Sequence, residues 1–446
     1  MKLSELQKLI FDAGIVGAGG AGFPTNKKLS DKTEIIVVNA AECEPLMMVD
    51  HHIFQKHLHL IVEILNMLLD TMGAKEAIIG IKSKNRYLLN PEVVKDMEGT
   101  RISVKDIPDI YPAGDEVILT YETTGRIIPE GGIPLDVGVM VCNTETLFNI
   151  WKLFNEDTPV VEKYVTIGGD TDRDITVKVP VGMKISDLMT ACGYTDLEGK
   201  RIINGGPMMG KLVDIENDVV TKTTKGLLIF PEEHEVIQKR IRPMSMTLKR
   251  ASAACCYCHM CTDMCPRHLM GYDLEVHKIL RTASHSEVTN TNSFLQASLC
   301  CGCGVCSVIA CQQMLDPQNI AMEVKGQLAK LGYRRPGGRK VEKVSENREG
   351  RLVPSKILAE RLGLRRFMGK TVTRDMRAFN PDKVYILTRQ HVGAPAIPTV
   401  KAGVVVKRGD VVAVTPENLL GTTMHASIDG KVVSVTDESV VIERLK

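Results

Sequence analysis

Ten of the thirteen cysteines in this chain fall between Cys255 and Cys311. Eight of those ten form two runs, Cys255-x2-Cys258-x2-Cys261-x3-Cys265-Pro266 and Cys300-x2-Cys303-x2-Cys306-x4-Cys311. A tight loop with successive two-residue gaps aims three sulfurs at one point while its backbone N–H groups turn the same way. That is what a cubane iron-sulfur cluster needs, with its fourth thiolate arriving from elsewhere in the chain. Zinc is the competing reading, because paired Cys-x2-Cys units also build tetrahedral four-sulfur sites. One zinc would use two such pairs, whereas three cysteines at x2 gaps, present twice, supply more thiolates than it needs.

In two-cluster ferredoxins the distant cysteine of each run serves the other cluster. That sharing assigns Cys255, Cys258, Cys261 and Cys311 to one [4Fe-4S] cluster, and Cys300, Cys303, Cys306 and Cys265 to a second. The first run has the bacterial ferredoxin spelling. The second departs from it, with x4 before its last cysteine and Gln312 where proline usually follows. Cys256 and Cys301 each adjoin a ligand and are expected to point away, with a one-position slip left open. Cys43, Cys142 and Cys192 stand alone and read as small buried apolar residues.

A second informative stretch is Gly17-Ala-Gly-Gly-Ala-Gly-Phe-Pro-Thr25. Gly17, Gly19 and Gly22 satisfy G-x-G-x-x-G, but a dinucleotide fingerprint should follow a strand and open a helix. Here a helix over Leu3–Phe11 precedes, Pro24 interrupts, and the strand Glu34–Asn39 comes afterwards. Such a loop still exposes backbone N–H groups to a phosphate or a flat ring. The strand ends in Asn39-Ala-Ala-Glu42-Cys-Glu44-Pro45, which puts polar side chains at the edge where α/β sheets bind ligands.

These residues need a scaffold, and 446 residues are too many for one core. Hydrophobic (44%) and charged (25%) fractions are those of a globular protein, and no apolar run approaches the ~20 residues of a membrane span. The N-terminus has no apolar signal core, so a cytoplasmic protein is expected, in agreement with thiolate clusters that need a reducing compartment. Alternating strands and helices over residues 1–158, including a long helix from His51 to Met72, predict an α/β domain with a largely parallel sheet. Short strands with one helix near Ile185–Cys192 predict a β-grasp-like module at 159–240. The cysteine domain, 245–330, should be mostly helical. Residues 334–377 carry fourteen Lys/Arg against five Asp/Glu. The stretch has few aromatics and no recognisable module, so 331–380 reads as a basic linker or a docking face for an acidic partner, not a nucleic-acid site. Residues 381–446 read as a compact β module.

Four loops, Gly17–Thr25, Asn39–Pro45, Tyr111-Pro-Ala-Gly-Asp-Glu116 and Cys142-Asn-Thr-Glu-Thr-Leu147, together resemble the flavin-binding component of respiratory complex I and the RnfC component of the Rnf complex. The whole order resembles the cobalamin reductases of propanediol-utilisation microcompartments: an FMN-binding α/β domain, a β-grasp module of the soluble-ligand-binding (SLBB) type, a two-cluster ferredoxin-like domain and a C-terminal barrel-sandwich hybrid. Segments such as Ile203–Gly210 and Arg389–Gly393 support that likeness. The resemblance implies non-covalent FMN reduced by NADH. Carried over, Gly17, Gly19, Gly20 and Gly22 would line the ring and phosphate, and Lys28 would meet a phosphate or ring oxygen. Asn39 and Glu42 would fix the ring edge, Asn143 and Thr146 would hold the phosphate end, and Glu116 would lie near the nicotinamide. Ala41 stands where complex I usually has an acid.

The resemblance further implies electron flow from NADH through FMN and the clusters to cob(III)alamin or cob(II)alamin. The partners it implies are a cobalamin adenosyltransferase and microcompartment shell proteins. His391 and His425 in the C-terminal module read as structural rather than corrin contacts. Two other readings stand beside this one: an NADH-linked shuttle to another reductase, and a flavin-free ferredoxin-like adaptor.

Overall fold

The computed structural model describes residues 1–285, 291–333, 338–370 and 372–445. Its first domain comprises α1 (Leu3–Asp12), β1 (Ile35–Ala40), α2 (Val49–Met72), β2 (Glu76–Lys82), α3 (Pro91–Asp96), β3 (Ile102–Ile107), β4 (Ile110–Tyr111), α4 (Glu116–Thr124), β5 (Val139–Asn143) and α5 (Thr144–Glu156). β1 is apolar on both faces, as a central parallel strand covered on both sides must be. Ile36, Val38 and Ala40 pack with α2 and α5, while Ile35 and Val37 pack with Leu119 of α4. All pairings are parallel in the order β3-β2-β1-β5. The chain walks from β1 outward to β3 and then returns to the other side of β1. The switch point therefore lies between β1 and β5, and sheets of this kind bind ligands outside the strand C-termini at that point.

The second module contains β6 (Glu162–Gly169), β7 (Asp174–Pro180), α6 (Ile185–Ala191), β8 (Lys200–Asn204), β9 (Lys211–Leu212), β10 (Gly226–Pro231) and α7 (Glu235–Ile241). β6 and β7 form a hairpin, β10 lies parallel to β6, and β8 pairs antiparallel with β10. The cysteine module is helical: α8 (Met244–Ala254), α9 (Met260–Asp263), α10 (Pro266–Leu269), α11 (Val276–Ser284), α12 (Thr291–Gln296) and α13 (Pro317–Lys330), with one π turn at Cys306–Ala310.

The stretch 331–380, expected as a basic linker, carries β11 (Val353–Pro354), α14 (Ser355–Arg361) and β12 (Val372–Asp375). β11 pairs with β4, and β12 extends the second sheet parallel to β7. The physical reason lies in the apolar residues set among the cations. Val353, Leu358, Leu362, Leu364 and Phe367 fill a core shared with Phe230 and Val236. Arg334 and Arg335 of the basic stretch lie outside the described residues. The C-terminal module has β13 (Lys383–Leu387), β14 (Ile397–Pro398), β15 (Val405–Val406), β16 (Val411–Val414), β17 (Thr423–His425), β18 (Gly430–Val435) and β19 (Ser439–Arg444) in two sheets around one core. Among the described residues no helix is long and apolar enough to cross a membrane.

Candidate functional site

Asn39 and Asn143 are register partners at the C-terminal ends of β1 and β5, the two strands that flank the switch point. Asn143 is the N-cap of α5, its Oδ1 accepting from Glu145 N–H at 3.0 Å. The glycine loop lies across this helix start. Thr146 Oγ1 accepts from Ala18 N–H at 3.0 Å, and a Cβ on Gly19 would stand 2.7 Å from Asn143 Nδ2. The loop can approach only because position 19 has no side chain. Gly19 and Gly20 are exposed, and open space surrounds Gly20. Asn39 itself is tied into the sheet, donating to Gly114 O (2.9 Å) and accepting from Ala41 N–H (3.2 Å).

Beside this crevice lies a cavity of about 130 Å³ walled by Phe23, Lys28, Glu116 and β5. Lys28 Nζ donates to Glu116 Oε1 at 2.6 Å and to Val141 O at 3.2 Å. The structure thus brings together Gly17, Gly19, Gly20, Asn39, Asn143 and Thr146, with Lys28 and Glu116 adjoining through β5. Gly22 faces elsewhere, and Glu42 adjoins the crevice through Asp50, whose Oδ1 accepts from Asn143 Nδ2 at 3.5 Å and whose N–H donates to Glu42 at 2.8 Å. Gly22, at φ +73°, is packed against Thr223 and the Gln390–His391 backbone, where a Cβ would come within 2.7 Å of Thr223. Glu42 joins a buried network in which Lys225 Nζ reaches Glu42 at 3.0 Å and Asp50 at 2.6 Å. Burial raises the Asp50 carboxyl to about 6, the neighbouring Glu42 adding to it and Lys225 opposing it. Asp50 and Lys225 lie 175 positions apart in the chain, and no local pattern joins them.

The cysteines gather as two quartets. Cys255, Cys258, Cys261 and Cys311 line one small cavity, and the Cys261 thiol is raised to about 12 first by burial and then by Cys311, Cys255 and Cys258. Cys300, Cys303 and Cys306 stand with Cys265: burial and then Cys300 and Cys265 raise the Cys306 thiol, and Cys301 and Cys265 are among the groups that raise Cys303. Cys256 is exposed, whereas Cys301 lies against Cys303 and Arg267. The two runs repeat one backbone trace. The second and fourth residues after the leading cysteine are left-handed in both: Tyr257 (φ +58°) and His259 (φ +64°), Gly302 (φ +73°) and Gly304 (φ +80°). Such turns point N–H groups into a concavity, and Gly302 N–H already donates to Cys300 Sγ at 3.4 Å. Burial and mutual crowding raise these thiols, and four convergent cysteine sulfurs are the donor set that a [4Fe-4S] cluster takes. As they stand, no group of three or more His, Cys, Asp or Glu among the described residues is set to hold a metal ion.

The second quartet is fastened to the first domain. Tyr111 OH donates to Cys303 O at 2.8 Å, and Arg267 pairs with Asp115 at 2.9 Å. Asp115 is also the N-cap of α4, accepting from Val117 and Ile118 N–H, and Val117 and Ile118 pack into one core with Cys261 and Cys265. The next residue after that cap is Glu116, on the cavity it shares with Lys28.

Residues 10–152 match the model of the Nuo51 FMN-binding domain, 254–316 a 4Fe-4S dicluster domain, and 363–444 the RnfC barrel-sandwich hybrid domain. Over 432 residues the chain is 37% identical to the cobalamin reductase PduS of Citrobacter freundii, covering 97% of this chain and 95% of that one. It belongs to the PduS cobalamin reductase family. The Salmonella typhimurium PduS is 35% identical, with 100% and 97% coverage. The RnfC-type component of the Na(+)-translocating ferredoxin:NAD(+) oxidoreductase complex of Acetobacterium woodii is 30% identical over 61% of this chain and 60% of its own. For the FMN phosphate that the family's first domain implies, the exposed Gly19–Gly20 backbone at the start of the thirteen-residue α5 fits, since a helix N-terminus favours an anion.

Proposed function

We propose that this chain reduces cobalamin with electrons from NADH, using FMN and two [4Fe-4S] clusters. The observation that carries the reading is the fastening of the second cysteine run to the loop that opens α4, through Tyr111 and Asp115. It places a thiol quartet against the flavin-side domain, and the full-length likeness to PduS supports cobalamin as the acceptor. FMN held at the Gly19–Gly20 backbone would supply the conversion of a hydride's electron pair into the single electrons that iron-sulfur clusters require. In balance, NADH and two cob(III)alamins give NAD+, one proton and two cob(II)alamins.

The chain's own residues position these groups. Gly17, Gly19 and Gly20 supply backbone to the flavin, with Gly22 closing the loop. Asn143 and Thr146 hold the loop over α5, Asn39 sets the strand edge, and Glu42 supports that edge from behind. Lys28 meets a flavin oxygen, and Glu116 stands on the nicotinamide side. Cys255, Cys258, Cys261 and Cys311 hold one cluster; Cys265, Cys300, Cys303 and Cys306 hold the other. No side chain acts as nucleophile or general base. We read the second module as an SLBB-type β-grasp, which its hairpin, helix and central parallel strands support. We place the protein in the cytoplasm of a bacterium, within a microcompartment beside an adenosyltransferase.

The likeness to the RnfC-type component favours a second reading, an NADH-linked shuttle to another acceptor. Anaerobic addition of limiting NADH, followed by aquacobalamin, tests both. Bleaching of flavin and cluster absorbance followed by catalytic cob(II)alamin formation is expected. Bleaching without cobalt reduction would favour the shuttle, and no bleaching would leave an adaptor without flavin.

A further inference from the structure

A cavity of about 490 Å³ opens where the second module, the cysteine module and α14 meet, and it shares no residue with the Lys28–Glu116 cavity. Cys311 lines it. Cys311 of one quartet therefore lies at this cavity, and the loop of the other, which is bound to the first domain through Cys303 O, lies beneath its floor at Gly302 and Gly304.

The walls have a definite chemistry. Met209, Met314 and Met322 are 52%, 55% and 39% exposed, yet all three line this one cavity. Grouped thioethers are soft, polarizable and adaptable, which suits the face of a broad conjugated ring. Lys211, Lys239 and Arg361 also line it, against two carboxylates, Glu235 and Asp316. Lys239 makes no hydrogen bond or ion pair among the described residues, and burial lowers its pKa, with Asp316 and Glu235 opposing. Arg240 is different: it commits its donors to the carbonyls of Pro207, Gly210 and Val236 and so fixes the wall. The floor is rigid too. Gln318 donates to Gly302 O at 2.6 Å, and a Cβ on Gly304 would meet Gln318 at 2.6 Å and Met208 at 3.0 Å.

We propose that this cavity is the acceptor's docking site: the corrin ring of a cobalamin rests on Met209, Met314 and Met322, with its phosphate toward Lys239 and Arg361. The proposal rests on the reading of cobalamin as the acceptor. The volume is within the ~300–1,000 Å³ usual for small-molecule pockets and smaller than a whole cobalamin. The cavity takes the part of the ring that faces Cys311, and the remainder lies over the rim.

Equilibrium dialysis of aquacobalamin against the anaerobic holoprotein tests this, with Lys239→Glu, Lys239→Arg and Met314→Asp compared with the parent. Lys239→Glu and Met314→Asp are expected to weaken binding about tenfold or more, the loss of one good polar or apolar anchor being worth roughly 1.4 kcal/mol. Lys239→Arg should stay within about twofold, and NADH should bleach flavin and cluster absorbance equally in all four proteins. Parent-like binding in both Lys239→Glu and Met314→Asp would overturn the site while leaving cobalamin reduction intact. If the parent is bleached by NADH yet neither binds nor reduces aquacobalamin, the cobalamin reading fails and the site with it.

Discussion

Lys28 donates to both Glu116 and the Val141 carbonyl, so its ammonium is held at the cavity wall before any ligand arrives. A charge-assisted hydrogen bond of this kind is worth about 1.5–3 kcal/mol. Lys28→Met should therefore release FMN more readily, by roughly ten- to a hundredfold, read as flavin fluorescence in an ultrafiltrate. Glu116→Gln should keep its flavin and be bleached more slowly by NADH in stopped flow. If both variants lose flavin equally, the pair serves only to hold the fold. Glu44 makes a second residue-level case. It accepts from Met208 and Met209 N–H, both at 3.0 Å, and so pins the turn that walls the 490 Å³ cavity. Burial raises its carboxyl from 4.5 to about 7. The folded protein then holds this proton more tightly than the unfolded chain, so the contribution to stability is full below pH 4.5 and is lost as pH rises through 7. Melting temperature relative to Glu44→Gln should fall between pH 5.5 and 7.5, and a constant difference would remove Glu44 from the pH response.

At the scale of elements, α4 joins the flavin-side domain to the cysteine module. Its cap, Asp115, satisfies two backbone N–H groups and pairs with Arg267. Asp115→Ala should cost about 1–2 kcal/mol for the cap, and it also strands Arg267, whose Nε and Nη1 already lack partners in the described protein. Chemical denaturation measures the first loss. The second should appear as slower reduction of the clusters by NADH while flavin bleaching keeps its rate. Much of this organisation is legible in the sequence because the signals are local. The runs of β1 and β5, the periodicity of α2 and the doubled Cys-x2-Cys spacing each lie within a few turns of chain. The switch-point crevice follows from Asn39 and Asn143 once the strands are in place. Pairing between distant segments is not legible in the same way. β12 has too few residues to announce itself and becomes a strand only because the free edge of β7 is there to accept it. Lys225 acquires meaning only beside Asp50 and Glu42, and Gly22 only beside His391.

For the whole molecule the decisive contact is where the chain's two ends meet. Lys222 is buried, and its Nζ donates to Gly14 O (2.8 Å) from the first domain and to Thr423 O (2.7 Å) from β17, binding three modules with one side chain. His425 stands beside it with its Nδ1 unpartnered, and Thr422 Oγ1 donates to Phe11 O at 3.0 Å. His391 and His425, 7% and 4% exposed, are thus interior residues of this junction. Burial alone lowers the Lys222 ammonium from 10.5 to about 7, while His425, itself lowered to about 3, remains neutral and adds no charge. Between pH 7 and 10.5 the unfolded chain binds more protons here than the folded one, so stability should rise with pH across that window and level off above it. A neutral amine still donates to both carbonyls, so the junction is kept as the charge is lost. Lys222→Met removes the titration but leaves the Gly14 and Thr423 carbonyls without their donor, at about 1–3 kcal/mol each. The variant should therefore melt lower at pH 7 and lose the rise toward pH 9. It should also be cut sooner by protease between residues 375 and 383, where the C-terminal module joins the rest. A variant that keeps the parent's pH slope would show that the rise is carried by a titration elsewhere in the molecule and not by Lys222.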